Sequence, residues 1–543
     1  MDNMRRFLFL LLLAALALGA VAQDHTDWSR GAVLYEVNVR QYTHAGTFRA
    51  FSRHLDRLED LGVDILWFMP IHPIGEVNRK GTLGSYYAVK DYLEVNPEFG
   101  TLQDFRNVVN DAHARGMRVI MDWVINHSAP DNPLARDHPT WYVRDGSGNF
   151  TPPAGTDWTD VIQFNHASLD LLGWMQDALR FWVEDVGVDG FRFDAASLVP
   201  NSFWVPLLSH LNGVRPDLLL LAESDGRRYH DAGFDMSFAW DLYGFGHGVF
   251  ADVAAGRKGA NDLWDYLVAD RNRYPGEDYR LYFTSNHDEN SWIGTDRELF
   301  GEARHALWVL AATMNDMALI YSGQEIDHDR RLAFFEKDGI VWVDDSPATE
   351  LFRTLNQLKE AESALWSGTA GGDPVCISVS DPVHVLAFMR ANPGSKVAVV
   401  ANLSPEARSV DVSQGPANGV WVDAMTGEVM TIPSTNPWVL SGWQARVLVD
   451  ATATDVESDA ALPGQGVRVD VYPNPSPGGT VLHVAAGSEK PVQWEVLDVL
   501  GRRMAGGSGE PLIRLDDRDW AAGVYVYRVR AGRDVVSGTF VRR

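Results

Sequence analysis

The chain has 543 residues, of which 45% are hydrophobic and 11% aromatic. It is too long for one ordinary domain and too apolar to be disordered. Its net charge of −26, from 47 basic and 73 acidic residues, argues against nucleic acid or an anionic membrane as partner and favours a neutral ligand or a cation.

The N-terminus places Arg5 and Arg6 before an apolar run from Phe7 to Gly19, and ends the run on Ala20-Val21-Ala22. This is the pattern of a signal peptide over residues 1–22, cut after Ala22. An anchoring helix is the rival, but the run falls short of the roughly 20 residues a span needs. The expectation is an exported chain, secreted or held at the cell surface, with no transmembrane segment after cleavage. The single cysteine, Cys376, rules out an intramolecular disulfide framework and a Cys-rich zinc site. It is read as a small buried hydrophobe.

From 28 to 368 short apolar runs alternate with charge-bearing helical patterns such as TFRAFSRHLDRLEDLG and TLQDFRNVVNDAHARG. Strands are predicted at 32–39, 64–70, 117–124, 190–194, 218–224, 235–240, 280–285 and 317–323. They are continuous apolar runs, as parallel strands buried on both faces should be. Eight strand–helix units predict an α/β fold, a (β/α)8 TIM barrel. No GxGxxG follows the first strand, which counts against an open dinucleotide-binding sheet. The stretch 128–165, rich in Pro, Asp, Asn, Gly and Trp, reads as a small excursion over one end of the barrel. Short strands with turn signals then predict an antiparallel β-sandwich over 369–450, a linker over 451–466 and a further small all-β module over 467–543.

Four of the predicted barrel strands end on polar groups. DWVINH supplies Asp122, Asn126 and His127, GFRFD supplies Arg192 and Asp194, LLLLAES supplies Glu223, and FTSNHD supplies His287 and Asp288. In a TIM barrel these ends meet on one face. Any one such carboxylate fits a helix cap or an ion pair; four converging sets point to a site. Period-2 geometry puts Arg192 on the same face as Asp194, where its charge can keep that aspartate ionised. Glu223 follows five apolar residues, surroundings that raise a carboxyl pKa towards the range of a general acid. One ionised carboxylate with one carboxylic acid is the equipment for glycosidic bond cleavage. No HExxH, GxSxG or Walker loop offers a competing chemistry.

These segments resemble the motifs of the α-amylase family of glycoside hydrolases. DWVINH resembles its D-x-x-x-N-H motif, GFRFD its G-x-R-x-D motif and FTSNHD its N-H-D motif, with Glu223 after the fifth strand. GSYYAVKDYLEVNPEFGTLQDF is similar to the family's segment after the second strand. The resemblance implies that Asp194 is the nucleophile, Glu223 the acid–base and Asp288 the third carboxylate. It implies that Tyr87, four residues before Asp91, stacks on the sugar, that His127, Arg192 and His287 complete the subsite, and that Asp122 and Asn126 support it. The implied substrate is an α-glucan, cleaved at α-1,4 bonds through a covalent glycosyl-enzyme, with no cofactor in the chemistry. In many relatives Asn126 is a calcium ligand; Gln163, where an aspartate is usual, and the short excursion count against a structural calcium here. Ala195-Ala196-Ser197 stand where many relatives carry Lys-His. The tail, with VYPNPSPGG, WEVLDVLGRRM and GVYVYRVRAGRDVVSGTFVRR, resembles the type IX secretion sorting domain of Bacteroidetes, which implies the export machinery as a partner. Two rival functions share this pattern: a transglycosylase on the same scaffold, and a surface glucan-binding protein without catalysis, which should have lost one of the three carboxylates.

Overall fold

The computed structural model describes residues 27–451, apart from 245, 344, 345 and 414, and most of 468–542. The signal-peptide segment and all but the first residue of the linker lie outside the described residues.

Eight parallel strands close a barrel: β1 (Leu34–Val37), β2 (Ile65–Phe68), β3 (Arg118–Trp123), β4 (Gly190–Phe193), β5 (Leu219–Ala222), β6 (Met236–Phe238), β7 (Tyr279–Phe283) and β8 (Met317–Tyr321). Each pairs with the next, and β8 returns to β1. All eight expected strands are present, seven of them inside the predicted run and β7 starting one residue before it. Apart from Arg118, every residue in them is buried, because helices cover the outside and side chains fill the inside. Close packing fixes at least one residue type. A Cβ on Gly190 would lie 2.1 Å from the Leu219 carbonyl oxygen.

Two of the covering helices start on side-chain caps. Thr101 and Asp104 form a reciprocal capping box for Leu102–Ala114, and Ser168 caps Leu169–Phe181. The first of these buries Phe105, Val108, Val109 and Ala112, spaced to form one apolar stripe. The excursion after β3 opens and closes on a two-residue antiparallel pairing of His127–Ser128 with Ile162–Gln163. A small cluster of Ile74, Ala88, Ala129 and Val161, with Trp158 against it, holds it down.

The predicted antiparallel region forms a six-stranded sheet and a two-stranded one. Strand Val385–Asn392 shows why the two layers are stable. Leu386 and Phe388 face the barrel's core, while Val385, Ala387 and Met389 face the layer that holds Val410 and Leu440. Cys376 corrects the sequence reading: it sits exposed on the short edge strand Val375–Cys376, where one side of the strand has no neighbour. The tail builds two further antiparallel sheets around Leu482, Val496, Ile513 and Phe540. Its tryptophans, Trp494 and Trp520, pack against that core. No helix among the described residues is long and apolar enough to cross a membrane.

Candidate active site

The residues singled out from the sequence meet at the C-terminal mouth of the barrel. Tyr87, His127, Asp194, Glu223 and Asp288 line one cavity of about 570 Å³. Strand register does the placing. Asp122 on β3 is the direct partner of Arg192 on β4, and Asp194 follows one residue after β4 ends.

Arg192 is fully buried and lies over the rings of Trp67, Tyr87 and Phe238. Its guanidinium is not reserved for Asp194, as the sequence suggested. It reaches Asp122 Oδ1 at 2.8 Å, Asp194 Oδ1 at 3.2 Å and Glu223 Oε1 at 2.8 Å. The fork geometry of an arginine lets one cation serve three acids on adjoining strands. One positive charge does not balance three negative ones. Burial, then the charge of Glu223, pushes Asp194 well above the usual carboxylate range, against the pull of Arg192. Burial also pushes Glu223 up, with Arg192 opposing and Asp288 adding to the rise.

Ala195, directly after Asp194, adopts a left-handed conformation at φ 46°. A non-glycine residue held there is strained, and the strain has a visible product. The Ala195 N–H points at Glu223 and donates to Oε2 at 2.6 Å.

His287 sits between opposite partners. Its Nδ1 meets Glu36 Oε1, its Nε2 lies 2.8 Å from the Tyr87 hydroxyl, and Asp288 Oδ1 is 3.5 Å from Nε2. Burial works against a charge on this ring, but Asp288 and Glu36 outweigh it and raise its pKa to about 9. The protonated ring donates from both nitrogens, and the Tyr87 hydroxyl donates onward to Asp122 Oδ2 at 3.1 Å. His127 behaves oppositely: burial pulls its pKa down to about 3 and keeps it neutral. Asp288 lies at the cavity wall, where the chain enters the π-helical turn Glu289–Ile293.

Sequence reasoning missed Glu36, which is fully buried in β1. The signal was present: one acidic residue inside the apolar run AVLYEVNV, as odd as the arginine in GFRFD. It also missed Lys80, Phe334 and Phe335, which help to line the cavity wall. They lie on loops, where no periodicity marks them.

Asn126 is the side chain to which a structural calcium would bind. Its side chain is fully buried and its Oδ1 has no hydrogen-bond partner, so one oxygen is free to ligate. A calcium ion takes six to eight oxygens, several of them carboxylate. Among the described residues no group of three or more His, Cys, Asp or Glu side chains is arranged to hold a metal. Gln163 supplies no charge. The residues present do not fit calcium.

Comparison with known proteins agrees with this geometry. A family model described as alpha amylase, catalytic domain, matches residues 25–158, and one described as maltogenic amylase, C-terminal domain, matches residues 377–447. Alpha-amylase 2 of Dictyoglomus thermophilum is 23% identical over 447 residues, covering 74% of each chain. An alpha-1,4-glucan:maltose-1-phosphate maltosyltransferase of Cereibacter sphaeroides is 31% identical over 308 residues, 52% of this chain and 49% of that protein. The crystal structure of an alpha-amylase from Lactobacillus plantarum superposes with a TM-score of 0.69 at 30% identity, covering 78% of this chain and 99% of that one. A barrel mouth holding three acids on one buried arginine, together with that match over 78% of this chain, places it in the α-amylase family of glycosidases.

Proposed function

We propose that this chain is a retaining hydrolase of α-1,4-glucans such as starch, glycogen or maltooligosaccharides. One observation carries the reading: Asp194 and Glu223 share Arg192 at the wall of a cavity that also presents Tyr87, His127 and Asp288. In the first displacement Asp194 attacks the anomeric carbon and forms a glycosyl ester, while Glu223 gives its proton to the departing glycosidic oxygen. In the second, Glu223 takes a proton from water, the water attacks the same carbon, and Asp194 leaves. Arg192 steadies whichever carboxyl carries the charge, and the Ala195 N–H holds Glu223 in position. Release of reducing sugar from soluble starch tests this. Glu223→Gln should lower it by about 10²–10⁴-fold, the usual worth of a general acid–base. Undiminished release would overturn the assignment.

A second reading is transfer to a sugar acceptor instead of water. It is favoured by the similarity to a maltosyltransferase and by Ala195-Ala196-Ser197 on the leaving-group side. Thin-layer chromatography of maltoheptaose digests separates the two, since products longer than the input require transfer.

For localisation, the Arg5–Ala22 pattern and the tail motifs support export with the 467–543 module as sorting signal. Deleting 467–543 in a host with that pathway should leave the enzyme inside the cell envelope; undiminished release to the medium would refute the role.

A further inference from the structure

The loop between β2 and Tyr87 is fastened on both sides. On one side, Lys80 Nζ donates to the Asp157 carbonyl at 3.2 Å and pairs with Asp160 Oδ1 at 3.5 Å, and Asn78 Nδ2 donates to the Thr159 carbonyl at 3.1 Å. These partners belong to the excursion after β3. On the other side, the Leu83 N–H donates to the Phe335 carbonyl at 3.0 Å, and both the N–H and the hydroxyl of Thr82 donate to Glu336. Those partners belong to the loop after β8. Gly81, at φ +62°, lies so close that a Cβ would come 2.4 Å from the Phe335 Cβ. Beneath, the buried Arg40 donates to the carbonyls of Gly84 at 3.1 Å and Phe334 at 3.3 Å. Three loops are therefore stitched into one continuous wall, which lines the active-site cavity through Lys80, Asp157, Asp160, Phe334 and Phe335.

The barrel order says which end of the substrate meets this wall. Glu223 and Ala195 follow β5 and β4, so the leaving part of the glucan departs over those strands. In the closed barrel β8 and β1 lie opposite β4 and β5, with β2 next to β1. The part kept on Asp194 must run towards them, under Tyr87, whose ring stacks on Phe334 at 6.2 Å, and then against Phe335 and Lys80. We propose that this wall closes the cleft behind the retained sugars, so that the enzyme takes α-glucans from their non-reducing ends and releases short products. The proposal rests on the hydrolase reading above, and Lys80 is its specificity-determining residue.

The test compares a maltoheptaoside with a free non-reducing end and the same compound carrying a 4,6-O-ethylidene block there. The intact enzyme should cleave the free compound about tenfold faster or more, a discrimination that steric exclusion supplies. Equal rates on both overturn the wall while leaving the hydrolase reading intact. Cleavage of neither overturns the hydrolase reading itself, and the wall with it. Lys80→Ala combined with Thr82→Ala, and separately replacement of 77–82 by two glycines, should raise the blocked-to-free ratio. If neither variant moves that ratio, the loop is not what excludes the block and the proposal fails.

Discussion

Glu36 and His287 show how a residue that never reaches the cavity can set the charge within it. The pair lies under Tyr87 and raises the histidine to about 9, above its ordinary value of about 6.5. The sign follows directly. A folded pKa above the unfolded one stabilises fully below about 6.5, and that contribution is lost as pH rises through 9. Glu36→Gln removes one of the two anions holding the proton. The alkaline limb of kcat/KM should then move to lower pH, with activity falling more at pH 9 than at pH 6. An unshifted limb would mean that another group controls it. The polar residues of the site were legible because each breaks an apolar run or ends one, and burying a charge is costly enough to need a purpose. Their partnership was not legible. Arg192 stands two residues from Asp194 in sequence, yet its shorter contacts go to Asp122 and Glu223 on neighbouring strands, which only the register reveals.

At the scale of elements, the strands were readable for a physical reason. A parallel strand covered on both faces must be apolar along its whole length, and eight such runs recur. Their ends were less readable, because the apolar runs continue into the segments that carry the acids of the cavity: 218–224 spans both β5 and Glu223. The π-helical turns Trp182–Val186 and Glu289–Ile293 left no trace in the pattern, since they answer to packing and not to periodicity. Gly190 is the element-scale test. Both its neighbours on the pleat are fixed by backbone pairing to β3 and β5, so the 2.1 Å clash of an added Cβ with Leu219 cannot be relieved by a side-chain rotation. Gly190→Ala should destabilise by about 3 kcal/mol or more, at the upper end of overpacking costs. The midpoint of urea unfolding measures it. A change under about 1 kcal/mol would show that β4 and β5 can separate locally.

Across the whole molecule, the barrel and the six-stranded sheet share a core, and one cation is buried where they meet. Arg390 lies on strand Val385–Asn392 and is fully buried. It donates to the carbonyls of Gly372 at 2.7 Å, Met314 at 2.9 Å and Leu365 at 3.1 Å, and to Asn315 Oδ1 at 2.9 Å. These acceptors come from the chain before β8 and from the segment joining the barrel to the sheet. Burial draws the arginine's pKa down to about 10, a mark of how completely water is excluded there. Satisfied by carbonyl dipoles, the guanidinium ties backbone on one side of the junction to a strand on the other. Arg390→Ala leaves those carbonyls buried without a donor and should cost about 3 kcal/mol or more, each unpaired buried acceptor being worth about 1–3 kcal/mol. The loss falls on the junction, so barrel and sheet, expected to melt together in the unaltered chain, should melt in two transitions, with the sheet unfolding first. Starch hydrolysis at 25 °C should survive, because Asp194, Glu223 and Asp288 are not among the hydrogen-bond partners of Arg390. One unshifted transition in calorimetry would show that the shared apolar core, with Leu386 and Phe388 packed against the barrel helices, holds the two parts together without it.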